Sequence, residues 1–208
     1  MTRRISITLL LSLVGAFAIA SNWPAYAIDL PPQGLGRGGP FRAQCTGGYL
    51  VGFTGRVGAW IDNVRPICAT WNGRQLLNPV PNAVQAGVSQ GGGPASASCP
   101  NFVSQIKISD TKGDGPTNVI HSVEFHCISQ GMADEGWRKY GSNTRPEPRS
   151  SLILARGYTG LFESNCPFRE VAVGVHGRSG TFVDAIGLIC EPVPARVIRP
   201  LGKVKHRF

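Results

Sequence analysis

Apolar and polar residues alternate over several short stretches of the chain, and glycine-rich segments separate these stretches. Tyr49, Val51 and Phe53 place apolar side chains at every second position, and the stretch 171–175 repeats this pattern. A period of two is typical of a β-strand with one buried face. The pattern predicts short strands joined by turns, with Tyr49, Val51 and Phe53 on the same face of one strand.

Composition supports an all-β domain. The 208-residue chain contains 27 Gly and 16 Pro, together about a fifth of its residues. Each glycine or proline inside a helix costs about 1–3 kcal/mol, so a helical bundle or a coiled coil is excluded. The fraction stays below the roughly 25–30% that is typical of low-complexity chains. We therefore expect a folded domain that is rich in turns.

Cysteines divide the chain into three similar segments, which run from Cys45 to Cys68, from Cys99 to Cys127 and from Cys166 to Cys190. The first and third align without a gap over their last 17 residues, with seven identities. Such internal similarity indicates a repeated structural unit. The identical pairs are Gly52/Gly174, Gly55/Gly177, Arg56/Arg178, Gly58/Gly180, Asp62/Asp184, Ile67/Ile189 and Cys68/Cys190.

The second segment is a more divergent copy. It keeps both cysteines and an alternating run over 119–125, but its glycines do not align and His121 stands where the other copies have Asp. Each copy reads as strand, Gly-rich turn, strand. We expect Gly55 and Gly58 in the first copy, and Gly177 and Gly180 in the third, to bracket a tight turn with positive φ. Further Gly-rich loops precede the three copies, over 34–39, 91–93 and 157–160. Three four-stranded units around a shared core follow from this pattern.

The six cysteines predict disulfides. An even number of cysteines favours disulfides over reactive thiols in an exported chain, and export is predicted by residues 1–27 as described below. The sequence contains no Cys-x-x-Cys pair, so it gives no indication of a zinc site. We expect each pair to lie across neighbouring strands of one sheet. Among 15 possible pairings, the repeats favour Cys45–Cys68, Cys99–Cys127 and Cys166–Cys190.

Residues 1–27 have the pattern of a signal peptide. Arg3 and Arg4 precede an apolar run over 5–20, and Ala25-Tyr26-Ala27 forms a small-x-small cleavage site. The run is shorter than the ~20 residues of a membrane-spanning helix, and no second apolar stretch of that length follows. We expect a secreted or periplasmic protein without a membrane span, with a mature chain that begins at Ile28.

The formal net charge of +9 suggests an anionic partner. A basic tail over 193–208 would suit contact with anionic polysaccharide, or it is a solvated tail. No nucleic-acid-binding motif accompanies the charge, so we expect no specific nucleic acid. The expected organisation is a Gly/Pro-rich N-terminal segment over 28–40, one domain over 41–192 and this tail.

The stretch 177–187, Gly-Arg-Ser-Gly-Thr-Phe-Val-Asp-Ala-Ile-Gly, resembles the last hairpin of the jacalin-related lectins. The cysteine-bounded triplication with its Cys-Pro starts at Cys99 and Cys166 also resembles vitelline membrane outer layer protein I. Both resemblances imply a β-prism, in which three Greek-key sheets surround a pseudo-threefold axis. The disulfides would staple these sheets.

The resemblance also implies a sugar site. In mannose-type jacalin-related lectins a Gly-x-x-x-Asp loop binds a sugar and a second Gly-rich loop closes the side. Two such motifs are present, Gly58-Ala-Trp-Ile-Asp62 and Gly180-Thr-Phe-Val-Asp184. Carried over by position, Asp62 and Asp184 would accept bonds from hydroxyls, and Trp60 and Phe182 would offer an apolar face to the ring.

Two other interpretations stay open. The two aspartates can instead order their turns through bonds to the backbone, with the aromatic neighbours in the core. The protein would then be a structural or interaction protein of the cell envelope or an extracellular layer. A polysaccharide hydrolase is less well supported, because the Gly-x-Ser-x-Gly string at 87–91 runs into glycines rather than a helix. We expect no catalytic residues, no metal and no cofactor.

Overall fold

The computed structural model describes residues 26–34, 36–88, 90–110, 119–131, 150–152 and 160–194. Most of the predicted signal peptide, most of the basic tail and most of the 157–160 loop lie outside these ranges. The described residues form thirteen strands. In chain order these are β1 (Ile28–Asp29), β2 (Gln33–Gly34), β3 (Gly39–Gln44), β4 (Tyr49–Val57), β5 (Ile61–Trp71), β6 (Leu76–Pro81), β7 (Gly93–Ser98), β8 (Phe102–Asp110), β9 (Ile120–Ile128), β10 (Ser150–Leu152), β11 (Gly160–Asn165), β12 (Glu170–Ser179) and β13 (Val183–Pro192).

The strands form three antiparallel sheets with one plan, and each sheet contains the hairpin of one sequence copy. Sheet 1 has the order β6-β5-β4-β7, and sheet 2 has the order β10-β9-β8-β11. Sheet 3 has the order β1-β13-β12-β3, with β2 also paired to β13. In each sheet two outer strands flank a central hairpin, as in a Greek key. The predicted all-β fold, a β-prism of three Greek-key sheets, is confirmed.

Sheet 3 takes its outer strands from the start of the described chain. β3 pairs with β12, and both β1 and β2 pair with β13. In sheets 1 and 2 the outer strands instead follow their hairpin in the sequence. The N-terminal segment over 28–40 thus completes the third sheet, and the first and last described strands lie side by side.

Each central hairpin carries a β-bulge at the same position. The pairing shifts register at Val51 in β4, at Ser104 in β8 and at Val173 in β12. The carbonyl of each bulged residue accepts the backbone N–H of a cysteine that follows the adjacent outer strand. These bonds are Cys99 N to Val51 O (2.9 Å), Cys166 N to Ser104 O (2.8 Å) and Cys45 N to Val173 O (2.7 Å). The shared bulge shows that the divergent second segment is a structural copy of the other two.

The bulge also corrects the predicted face of β4. Because one extra residue breaks the period of two, Leu50 and Phe53 both point into the central core, whereas Val51 packs on the other side with Ile67 and Ala69. The prediction that Tyr49, Val51 and Phe53 share a face was therefore wrong.

All three sheets contribute to one apolar core. The rings of Phe53 in sheet 1 and Phe125 in sheet 2 meet edge to face with centroids 5.6 Å apart. Leu188 of sheet 3 belongs to the same cluster, and all three side chains are fully buried. No sheet buries its apolar face without the others, so the three copies fold as one unit.

The structure joins Cys45 to Cys68, Cys99 to Cys127 and Cys166 to Cys190, which are the predicted pairs. Their placement differs from the expectation of neighbouring strands in one sheet. The first cysteine of each pair follows an outer strand of the preceding sheet, whereas the second lies inside the next sheet's hairpin. The bonds therefore link sheet 3 to sheet 1, sheet 1 to sheet 2 and sheet 2 to sheet 3, in a closed ring.

Candidate functional site

The two Gly-x-x-x-Asp motifs form equivalent turns at the tips of the hairpins of sheets 1 and 3. In the first, the Gly58 N–H donates to the Trp60 carbonyl at 2.9 Å. In the third, the Gly180 N–H donates to the Phe182 carbonyl at 3.0 Å. The aspartate that ends each motif is the second residue of the returning strand. The sequence match therefore corresponds to a match in backbone geometry.

A second Gly-rich loop lies beside each turn. Gly92 has a φ of 58° and Gly38 has a φ of 67°, the left-handed region that favours glycine. A Cβ on Gly92 would lie 2.6 Å from Oδ2 of Asp62, and one on Gly38 would lie 2.5 Å from Oδ2 of Asp184. We call Gly58–Asp62 with 91–93 the first site, and Gly180–Asp184 with 36–39 the third site.

The predicted turn glycines have a different role from the one expected. Gly55, Gly58 and Gly180 have no positive φ, and Gly177, with a φ of 159°, is close to extended backbone rather than in the left-handed region. Gly55 lies inside β4, where a Cβ would collide with the carbonyl oxygen of Asn63 on β5. The expectation of positive φ in the turn was wrong because the left-handed residues lie in the adjacent loops, at Gly38 and Gly92.

Two equivalent arginines hold the second loops in place. Each guanidinium donates two hydrogen bonds to successive backbone carbonyls of the neighbouring loop, a geometry that suits its planar fork. The bonds are Arg56 Nε to Gly91 O (2.7 Å), Arg56 Nη2 to Gly92 O (2.6 Å), Arg178 Nε to Arg37 O (3.0 Å) and Arg178 Nη2 to Gly38 O (2.5 Å). Sequence reasoning gave these arginines no role, although their identity in the two copies was a visible signal.

Replacing Arg178 by Lys should loosen the loop of the third site. A lysine ammonium on a flexible stem cannot span both carbonyls, and we expect a loss of about 1 kcal/mol in loop order. Ligand affinity at this site should fall about fivefold, with the melting temperature nearly unchanged. Arg74→Lys, in the β5–β6 turn, is the matched control. Equal ligand affinity of the Arg178→Lys and Arg74→Lys variants would show that the two guanidinium bonds do not hold the loop of the third site.

Both aspartates are largely buried beneath their loops. Asp62 is 5% exposed and Asp184 is 8% exposed. Burial raises the pKa of the Asp184 carboxyl above its ordinary value, even though a backbone bond from Gly180 and the charges of Arg37 and Arg178 act in the opposite direction. The net effect of the fold on this group is to disfavour its charged form. Groups whose pKa is perturbed by the fold cluster at functional sites, so Asp184 is a candidate site residue.

Replacing Asp184 by Asn should stabilise the fold at pH 7. The amide can still accept the bond from Gly180, but it carries no charge to desolvate. Because the native pKa is raised, the wild-type carboxylate lowers stability as pH rises from the ordinary pKa, near 4, through its native value. The gain should therefore be present at pH 7 and absent below about pH 4, measured by urea unfolding at both values. Destabilisation of equal size at both pH values would identify Asp184 as a turn residue.

The aromatic members of the two motifs contact each other. The ring centroids of Trp60 and Phe182 are 5.2 Å apart, and Trp60 also lies 6.4 Å from the ring of His121 in the second copy. Both Trp60 and Phe182 keep part of their surface exposed. The contact supports the interpretation of these rings as packing residues, and a stacking role toward a sugar stays a prediction. A hydrogen bond from Val88 N to Thr181 O (3.1 Å) also joins the neighbourhoods of the two sites.

The second copy differs at the corresponding position. Ile120 pairs with Asp110 as Ile61 pairs with Val57, so His121 takes the place of Asp62 in the register. The equivalent turn falls within 111–118, outside the described residues. The described structure thus contains two candidate sites of this type.

Three further expectations, about a hydrolase, a metal site and a membrane span, concern described residues outside the two sites. Those on either side of Ser89 lie in a loop without the helix that a nucleophile elbow requires. In the described part of the chain no three His, Cys, Asp or Glu side chains are grouped as metal ligands. Among the same residues, no helix has the length and apolar character needed to cross a membrane.

Comparisons with known proteins support the fold. The sequence matches no protein-family model and no curated protein. Among solved structures, the fold of this chain resembles that of a lectin from Malaysian banana, with a TM-score of 0.55 and 14% sequence identity. The match covers 80% of this chain and 99% of the lectin. A mannose-binding jacalin-related lectin from Ananas comosus matches with a TM-score of 0.53 and 20% identity, over 80% and 98%.

Artocarpin in complex with methyl α-mannose matches with a TM-score of 0.54 and 16% identity, over 80% of this chain and 98% of that one. At such identities the likeness concerns the fold, and it spans nearly the whole length of each lectin. Together with the three Greek-key sheets, it shows that this chain has the β-prism fold of the jacalin-related lectins.

Proposed function

We propose that the protein is an exported, non-catalytic carbohydrate-binding protein with two sugar sites per chain. The observation that carries this proposal is the repeated loop pair. At the first and third sites a buried aspartate lies between a Gly-x-x-x-Asp turn and a Gly-rich loop with a left-handed glycine. Asp62 and Asp184 are the proposed acceptors for sugar hydroxyls.

The chemistry of each site suits a polyhydroxylated ligand. A carboxylate is an acceptor-only group that can take bonds from two adjacent hydroxyls. Glycines at both loops let the backbone amides approach a ligand without a side chain between them. Several proteins of the same fold carry sugar binding in their names, including the mannose-binding lectin from Ananas comosus and artocarpin with methyl α-mannose.

Weak individual sites would act together. A shallow site with a millimolar Kd supplies only about −4 kcal/mol. Two sites on one chain, or several chains on one surface, raise the effective affinity for a multivalent glycan. Export agrees with the three disulfides, which persist in oxidising compartments. The proposed partners are glycans or anionic polysaccharide outside the cytoplasm.

A glycan array tests the proposal. The oxidised mature chain, residues 28–208, is displayed multivalently and compared with an Asp62→Ala, Asp184→Ala double variant. We expect specific binding by the wild type and its loss in the variant, with disulfides and melting temperature retained. Binding that persists in the folded double variant would contradict the assignment of the sites.

The second candidate is a structural or interaction protein of the envelope or an extracellular layer. The contact between Trp60 and Phe182 favours it, because rings that pack on each other stabilise the turns without a ligand. A blank array with a folded, disulfide-intact wild type would support this alternative.

A further inference from the structure

An open cleft lies on the outer face of sheet 1, immediately beside the first site. Its volume is about 440 Å³. The floor consists of side chains from β4 and β5, and the segment that follows β6 forms one wall. The lining residues are Thr54, Gly55, Arg56, Asn63, Arg65, Pro81, Gln85 and Gln90.

The polar side chains of this cleft suit an anion. Two guanidinium groups, Arg56 and Arg65, face it, and none of its lining residues is acidic. The Thr54 hydroxyl at its edge donates to Ala95 O at 3.3 Å, so the arginines are the groups that would attract an anion. Arg65 is exposed, and its Nε donates to Oε1 of Gln85 at 3.0 Å. Gln85 is oriented in turn by a bond from its Nε2 to Gly87 O at 2.8 Å. Gln85 therefore positions the Arg65 side chain through Nε, and the two Nη atoms of Arg65 do not take part in the bonds Arg65–Gln85 and Gln85–Gly87.

The cleft and the first site share a wall. Arg56 lines the cleft and also donates to the carbonyls of Gly91 and Gly92. The opposite side of Gly92 lies against the Asp62 carboxylate. A ligand held at the Gly58–Asp62 turn would thus have its next sugar residue or substituent within reach of the cleft.

Sheet 3 differs from sheet 1 at the described positions that form this cleft. The register places Ala185 where β5 has Asn63, and Gly187 where it has Arg65. A Cβ on Gly187 would lie 2.9 Å from the Cα of Pro32, so the N-terminal segment covers this part of sheet 3. Sheet 3 therefore has no arginine at the position of Arg65, and the N-terminal segment occupies the corresponding space.

We propose that the cleft binds the sulfate or carboxylate of an acidic sugar residue attached to the one held by the first site. This inference rests on the proposed function and names a substrate class for one of its two sites. The first site would select acidic glycans, whereas the third would bind neutral ones. Arg65 supplies the selectivity, and Arg56 joins the cleft to the sugar site.

The test compares sulfated and unsulfated forms of the same glycans on the array. The proteins are the mature wild type, Arg65→Gln and a matched charge control, Arg74→Gln, which alters an exposed arginine outside the cleft. For an exposed ion pair we expect Arg65→Gln to weaken binding of the sulfated forms about three- to fivefold. Binding of the unsulfated forms should not change. The control should retain the wild-type ratio of sulfated to unsulfated binding.

A ratio that is the same in Arg65→Gln and Arg74→Gln would overturn the inference while leaving sugar binding intact. A blank array for every glycan would instead contradict the proposed function. In that case sodium sulfate is titrated at constant ionic strength while the side-chain amide signals of Gln85 and Gln90 are followed by NMR. Shifts in the wild type that Arg65→Gln abolishes would support an anion site, and their absence would overturn it.

Discussion

Replacing Cys166 and Cys190 together by alanine is expected to lower the free energy of unfolding by about 3 kcal/mol. The bond closes a loop of 24 residues, and chain-entropy estimates for loops of this length are near that value. It also joins the residue after β11 to β13, so without it the unfolded chain has more conformations to lose on folding. Stabilities of small domains are about 5–15 kcal/mol, and the change would be large on that scale.

Urea unfolding of the oxidised wild type and the variant measures this effect. The Cys45–Cys68 and Cys99–Cys127 pairs close loops of similar size, 23 and 28 residues, and provide matched comparisons. We expect similar losses for all three pairs. If the variant were as stable as the oxidised wild type, the ring of inter-sheet bonds would not be a source of stability.

Replacing Gly38 or Gly92 by alanine should remove the corresponding site. An L-residue in the left-handed region costs about 1–2 kcal/mol. The added Cβ would also collide with backbone atoms, the carbonyl carbon of Ser179 or that of Val57, and with the adjacent carboxylate. The loop must then move away from its aspartate. We expect affinity at that site to fall at least tenfold.

The same loops provide controls that differ by one or two positions. A Cβ on Gly36 or Gly93 would have no atom within 4 Å, and neither residue has a positive φ. Gly36→Ala and Gly93→Ala should therefore retain binding and stability. Calorimetric titration with a glycan selected on the array measures all four variants. Wild-type affinity in Gly38→Ala and Gly92→Ala would show that the loops do not form the sites.

The repeat could be predicted from the sequence because identical residues at the same spacing in two copies adopt the same backbone geometry. The 17-residue match between the first and third copies corresponds to the same hairpin and the same turn, and the shared bulge directly precedes the match in both copies. His121 was aligned with the aspartates from sequence, and the register confirms that placement. The cysteine pairs also followed from the repeat.

Other features depend on contacts between distant residues, which spacing cannot show. A bulge adds one residue to a strand without altering composition, so the face of Val51 was predicted incorrectly. The disulfides link different sheets because each first cysteine still bonds to the preceding sheet, as Cys99 does to Val51. The role of Arg56 and Arg178 depends on loops 35 and 141 residues away.

The most direct measurement is the number of sugar sites per chain. An NMR titration of the mature protein with an array-selected oligosaccharide would follow the backbone amides of Gly38 and Gly92, one beside each aspartate. We expect both to shift in the wild type, only Gly92 to shift in Asp184→Asn, only Gly38 in Asp62→Asn, and neither in the double variant. Shifts that are unaffected by either substitution, or that occur away from both loops, would contradict the account.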